Sequence, residues 1–227
     1  MRNNRRFIDL THPLHPGIPT WEGSCGFQLV GNGAGSRDPA APSFKLQSIR
    51  METGVGTHLD SPSHLFSSGM TVELYPLEQL VAPCRVLDVS SRAAEEFVLQ
   101  PDDLKDYESE SGVLEAGCVV LIRTGWDRFW DRPDQYRNGL VFPSVSGAAA
   151  EGLLERGVIG LGIDTLSPDR GDSGYPVHHL FLGAGNYLLE NVANLAQMPT
   201  KGAELWALPL AIQGGSEAPV RLVALAP

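Results

Sequence analysis

Thr53-Gly54-Val55-Gly56-Thr57-His58-Leu59-Asp60-Ser61-Pro62-Ser63-His64 is the stretch that decides how this chain is read. It places His58, Asp60 and His64 within seven residues. In an extended segment, side chains two residues apart point to the same face. His58 and Asp60 therefore converge on one point and offer it a nitrogen and an oxygen donor. Pro62 has no amide hydrogen and ends regular ladder pairing, which puts His64 on a turn or short irregular segment. Gly54 and Gly56 let the backbone come close to another segment or to a ligand.

Two residues far along the chain, His178 and Glu190, complete a His/Asp/His/Glu set. Their separation is not that of a one-turn helical pair, so spacing alone says little about them, and His179 is an alternative donor beside His178. Mixed nitrogen and oxygen donors suit zinc or manganese, and the absence of nearby cysteine speaks against a structural thiolate zinc site. His12 and His15 lie in the turn-rich run His12-Pro13-Leu14-His15-Pro16-Gly17 and read as surface or capping histidines.

The chain outside the motif sets bounds. Its 227 residues fit one domain, 1–227, and a hydrophobic fraction of 42% supports a proper core. There is no apolar run long enough to span a bilayer, and the basic start Met1–Arg6 is not followed by the apolar stretch of a secretory signal. A net charge of −10 speaks against nucleic acid as the natural partner. Cys25, Cys84 and Cys118 are odd in number and far apart, as expected of reduced thiols in a cytoplasm, with Cys118 in the core. No Gly-x-Ser-x-Gly elbow or phosphate loop is present, which leaves serine hydrolase and nucleotide-dependent chemistry without support.

Strands are expected at Phe7–Leu10, Phe27–Val30, Phe44–Thr53, Cys84–Val89, Val158–Ile163, Tyr187–Leu189, Ala203–Leu210 and Val220–Leu225. Cys118–Ile122 is a continuous apolar run, the pattern of a strand buried on both faces. Gly31–Ser43 reads as a loop, and Met70–Tyr75 and Leu77–Val81 as short elements. Helices are expected at Asp102–Tyr107 behind Pro101, over about Ser144–Arg156 with a serine cap and Gly157 past its end, at His178–Gly183, and as a short start at Glu190–Leu195. Trp126, Phe129 and Trp130 have the spacing of one helical face, suited to core or subunit contact. Asp164 reads as a residue behind the site or as a turn cap. The order gives an α/β domain with a mixed sheet core.

Gly56-Thr57-His58-Leu59-Asp60-Ser61-Pro62-Ser63-His64 resembles the signature of the metal-dependent cyclase/hydrolase family. The likeness runs nearly end to end, through Asp9-Leu10-Thr11, Pro16-Gly17-Ile18-Pro19-Thr20-Trp21, Leu121-Ile122-Arg123-Thr124-Gly125-Trp126, Gly162-Ile163-Asp164-Thr165, and then from His178 to Glu190-Asn191. The resemblance implies the swivelling β/β/α fold and a homodimer or homotetramer. It implies hydrolysis of an amide, cyclic or N-formyl as in formylkynurenine, by metal-bound water; a lactone or ester hydrolase and a non-catalytic binding protein are the alternatives. His58, Asp60, His178 and Glu190 are the implied ligands of a divalent metal, zinc first and manganese second. His64 is the implied general base and then acid, and Trp21 the aromatic that lines the small-molecule substrate pocket. The family usually has a histidine where this chain has Gly54, so one metal subsite loses a ligand and a single metal is expected, with Glu52 a candidate to compensate.

Overall fold

The computed structural model describes residues 5–32 and 45–227. Strands run β1 Arg6–Asp9, β2 Phe27–Asn32, β3 Leu46–Met51, β4 His58–Asp60, β5 Val81–Asp88, β6 Val98–Leu99, β7 Val119–Arg123, β8 Ser144–Val145, β9 Gly160–Ile163, β10 Tyr187–Glu190, β11 Ala203–Pro209 and β12 Glu217–Ala226. Helices are α1 Leu77–Leu80, α2 Pro101–Ser111, α3 Pro133–Arg137, α4 Gly147–Glu155 and α5 Pro176–Gly183. Most of the expected loop Gly31–Ser43 lies outside the described residues, as does Phe44. No helix among the described residues is long and apolar enough to cross a membrane.

The main sheet has the order β1-β12-β11-β5-β7-β9-β10-β4, and β4 also pairs with β12, so the sheet closes on itself. Strands β5, β7, β9 and β10 are parallel, while β4 is antiparallel to both of its neighbours. The alternation of side chains splits each parallel strand between two cores. Val119 and Leu121 of β7 pack inside the closed sheet with Leu59, Leu189, Leu205 and Leu222. Val120 and Ile122 face out against Leu104 of α2, Ala149 and Leu153 of α4, and Phe181 of α5. This is why Cys118–Ile122 reads as unbroken apolar sequence. Inside the closure β9 must be small: a methyl on Gly160 would lie 2.5 Å from the Tyr187 ring, and one on Gly162 would lie 2.4 Å from Leu121.

Three helix expectations change. Ser144 belongs to β8, where its amide donates to the Phe97 carbonyl, and the cap of α4 is Ser146, whose Oγ accepts from the Ala149 amide at 3.1 Å. Glu190 ends β10 rather than starting a helix, because Asn191 and Asn194 take left-handed backbone (φ 55° and 58°) that breaks the turn. The aromatic run after Gly125 is a 3₁₀ turn, Trp126–Phe129, separated by Trp130, Asp131 and Arg132 from α3, which starts at Pro133. Trp126 and Trp130 are nonetheless core, packed with Ile18, Tyr136 and Phe142.

Candidate active site

Strand β4 is only three residues long, and its neighbours determine the site. In the register of the sheet, Glu190 of β10 stands opposite His58 and Glu217 of β12 stands opposite Asp60. Leu59, Leu189 and Ala218, the residues of opposite parity, all lie in the inner core. His58, Asp60, Glu190 and Glu217 therefore share the other face of the sheet. Helix α5 covers part of that face through Phe181 and Leu182, which pack with Leu188, and it brings His178 down onto the carboxylates.

The donor atoms converge. His58 Nε2 lies 3.4 Å from Asp60 Oδ1 and 3.4 Å from Glu190 Oε2. His178 Nε2 lies 3.7 Å from Asp60 Oδ2 and 3.5 Å from Glu190 Oε1. All four residues are buried. A zinc ion with ligands at about 2.0–2.2 Å needs neighbouring donors roughly 3.3–3.6 Å apart, and here each imidazole meets one oxygen of Asp60 and one of Glu190, a different oxygen in each case, at 3.4–3.7 Å. Asp60 Oδ1 and Glu190 Oε1 are buried and accept no hydrogen bond. Buried polar atoms of this kind are expected to have a partner, and a divalent cation is one that suits carboxylate oxygens. Among the described residues two groups have metal-ligand spacing, His58/Asp60/Glu190 and Asp60/His64/His178, and they share Asp60.

Each imidazole is held from behind. His58 Nδ1 donates to the Gly56 carbonyl at 2.8 Å. That carbonyl also accepts from Asn191 Nδ2 at 2.9 Å, and Asn191 Oδ1 accepts from the Tyr136 hydroxyl at 3.0 Å. Gly56 has φ 62°, and a methyl there would sit 2.4 Å from Leu14, so the turn needs glycine. His178 Nδ1 donates to Asp169 Oδ2 at 2.8 Å. Asp169 also accepts from the His178 amide at 2.9 Å and the Val177 amide at 3.2 Å, so one buried carboxylate both caps α5 and aims its histidine. Both Nε2 atoms are thereby left facing the carboxylates.

Charge points the same way. Burial, the strongest influence on His58, disfavours its charged form, yet the charges of Asp60 and Glu190 outweigh burial and raise its pKa to about 10. Burial likewise acts downward on His178, but the bond to Asp169 and the charges of Glu190 and Asp60 raise it to about 9. The cluster has more negative charge than its neutral imidazoles can balance, and it draws protons where a cation fits.

Beside the cluster lies a cavity of about 380 Å³, lined by Trp21, Leu65, Leu166, Tyr175, His64 and Glu217 among others. This is the size of a small-molecule site. Trp21 meets Phe142 edge-on (6.4 Å) and Tyr175 at a tilt (6.2 Å), so two aromatic faces border the opening. His64 follows β4 on a 3₁₀ turn, Pro62–His64, with its side chain 37% exposed at the cavity.

All six residues singled out from the sequence, Trp21, His58, Asp60, His64, His178 and Glu190, line this one cavity. His179 does not: it is exposed and meets Phe66 edge-on. Glu52 reaches the cavity rim but belongs to neither donor group, and it is Glu217 that fills the space beside Gly54. Asp164 is a turn cap, accepting from the Thr124 amide and hydroxyl and the Gly125 amide. His15 Nδ1 accepts from the Gly17 amide, while His12 is packed flat on Trp130 at 3.8 Å rather than lying on the surface. Asp169, Tyr175, Asn191 and Glu217 were missed. Asp169 precedes His178 by nine residues across a loop, and no local pattern marks it; Glu217 is recognisable only from its register with Asp60.

A closed α/β sheet with paired imidazoles and carboxylates beside an aromatic-rimmed cavity defines a small-molecule site with the donors for a divalent cation. The chain belongs to the cyclase family: the model for that family, described as Putative cyclase, matches residues 8–170. It is 33% identical over 206 residues to isatin hydrolase of Roseibium aggregatum, covering 84% of this chain and 78% of that one. It is 32% identical to kynurenine formamidase of Salinibacter ruber over 95% of both chains. The solved structure of isatin hydrolase A from Labrenzia aggregata bound to benzyl benzoate superposes with a TM-score of 0.88 at 34% identity, covering 98% of this chain and 94% of that one.

Proposed function

We propose that this protein is a metal-dependent amidohydrolase that opens a cyclic amide or imide, or cleaves an N-formyl arylamine, carried on an aromatic ring. The observation that carries this reading is the convergence of two buried imidazoles and two buried carboxylates within 3.4–3.7 Å, together with the two carboxylate oxygens among them that accept no hydrogen bond. His58, Asp60, His178 and Glu190 would hold the cation, zinc in preference to manganese because two imidazole nitrogens beside carboxylates suit it. When bound, such an ion polarises the amide carbonyl and makes hydroxide available near neutral pH.

The chain's own groups do the rest. Trp21 and Tyr175 border the cavity and stack against a planar ring. His64 lines the cavity outside the four residues assigned to the cation, and histidine is the side chain most often used as a general acid or base. It takes a proton from the attacking water as the C–O bond forms, and returns it to the leaving nitrogen as the C–N bond breaks. The Gly56 carbonyl and Asp169 keep the two Nε2 atoms directed at the carboxylates throughout.

The free thiols, Cys25 exposed and Cys84 and Cys118 buried, suit the reducing cytoplasm. Leu29 and Ile49, directly opposed on the β2–β3 hairpin and 51% and 60% exposed, supply an apolar contact for a homodimer or homotetramer. The test of function is turnover of isatin-type cyclic amides, N-formyl arylamines and lactones, with and without added zinc or manganese. We expect amide hydrolysis that a chelator abolishes, and that His64→Ala lowers by on the order of 100-fold or more while the metal stays bound. Turnover of lactones alone would replace the amidase reading with an esterase one, and full activity in His64→Ala would remove the base.

A further inference from the structure

Glu217 places a largely buried carboxylate at the cavity. It stands opposite Asp60 on the active face of the sheet, and its side chain is 18% exposed. It belongs to neither group of donors with metal-ligand spacing. Its two oxygens are divided: Oε1 accepts from the Thr53 hydroxyl at 3.0 Å, and Oε2 lies 3.3 Å from His64 Nδ1. It can be there because residue 54 is glycine. A Cβ at position 54 would lie 2.5 Å from Oε2, 2.9 Å from Cδ and 3.1 Å from Oε1 of Glu217. The carboxylate and any side chain at 54 compete for one space.

We propose that Glu217 is the positioning residue for His64, and that Gly54 is the space that admits it. This rests on His64 as the base of the proposed reaction. The Thr53 hydroxyl pins one oxygen, so the other faces Nδ1 of the imidazole. With Oε2 only 3.3 Å from Nδ1, in a close contact rather than an aligned hydrogen bond, the carboxylate favours the hydrogen of a neutral His64 on Nδ1 and leaves the Nε2 lone pair as the proton acceptor. A base held by a third group in this way is a recurring requirement of acid–base sites. The role is separate from holding the cation: removing Glu217 takes no donor from His58, Asp60, His178 or Glu190.

Three variants test this: Glu217→Ala, Gly54→Ala and the two combined. Gly54 has no left-handed backbone to strain, and the three atoms nearest the methyl of Gly54→Ala all belong to the far end of the Glu217 side chain, which can swing away and leave the fold in place. The first readout is the tautomer of His64 in zinc-loaded protein, read from imidazole ¹⁵N spectra and assigned with His64→Gln. We expect the Nδ1–H form in the parent, and its loss in both single variants. The second is kinetic. Each single variant should lower kcat by about 10- to 100-fold with KM and bound zinc unchanged, and Gly54→Ala should add nothing once Glu217 is gone. An unchanged His64 tautomer in Glu217→Ala overturns the proposal. So does loss of zinc in that variant, which would make Glu217 a ligand, and so do effects of the two substitutions that multiply. If no substrate is turned over by the parent, the proposed reaction fails, and the spectra alone decide the role of Glu217.

Discussion

Replacing Asp169 by Asn tests how far the proposed metal centre depends on a residue outside the donor set. The aspartate accepts three bonds, from the Val177 amide (3.2 Å), the His178 amide (2.9 Å) and His178 Nδ1 (2.8 Å), and it is 1% exposed. An asparagine has one acceptor oxygen. Set where Oδ2 now stands, it keeps the two bonds to His178 and turns its NH₂ toward the Val177 amide, donor against donor. A buried donor left without an acceptor costs about 1–3 kcal/mol, which unfolding in urea would report on chelator-treated protein. The larger effect falls on the metal. A neutral amide makes His178 a weaker donor and holds its ring less firmly, and losing such a supporting group lowers metal affinity about 10- to 100-fold, or roughly 1.4–2.8 kcal/mol. Zinc competition against a chromophoric chelator measures this directly. If Asp169→Asn loses stability and binds zinc within twofold of the parent, Asp169 is a helix cap only, and the coupling drawn here between α5 and the metal is wrong.

Other expectations follow from single contacts. Burial pushes the His12 imidazole, flat against Trp130, down to about 4, against an upward pull from Asp131. With the unfolded value at about 6.5, the stability from keeping it neutral is complete above that pH. It is lost as pH falls through 4, by about 3 kcal/mol. In urea titrations with chelator between pH 7 and 4, His12→Phe should show a shallower loss than the parent, and identical slopes would refute the assignment. Gly160→Ala drives a methyl to 2.5 Å from a Tyr187 ring whose hydroxyl is tied to the Gln79 carbonyl at 3.0 Å. It should cost about 1–3 kcal/mol in denaturant unfolding. Ile49→Asp should reduce the mass seen in light scattering if the hairpin joins subunits, and an unchanged assembly would move the interface elsewhere.

Parts of this site were legible in the sequence for a stated reason. His58 and Asp60 alternate on a strand, and the two-residue period predicts that they converge. The double burial of Val119–Ile122 is written in its unbroken apolar run, and the turn role of His15 in its Pro-Gly surroundings. His178 and Glu190 came only with the family resemblance, since nothing local ties a residue on a helix to one on a strand twelve positions later. Asp169, Tyr175 and Glu217 were illegible because their roles are set by loop path and register, which pair β12 with β4 across a separation no periodicity measures. The misplaced start of α4 had a local cause: Ser144 and Ser146 are equal caps by type, and only the pairing of β8 with β6 decides between them.

The closure of the sheet through β4 bears on how the protein is made. Both partners of β4 lie far along the chain: the Thr57 hydroxyl bonds to the Asn191 carbonyl across 134 residues, and the Thr53 hydroxyl to Glu217 across 164. At about 5–20 residues per second, ribosomal synthesis makes His58 and Asp60 wait on the order of ten seconds before either neighbouring strand exists. During that interval the two donors, though adjacent in sequence, have no fixed geometry. On the proposed function, metal capture is therefore a late event in the birth of this protein, and early chelation by the nascent segment would be of a looser and different kind.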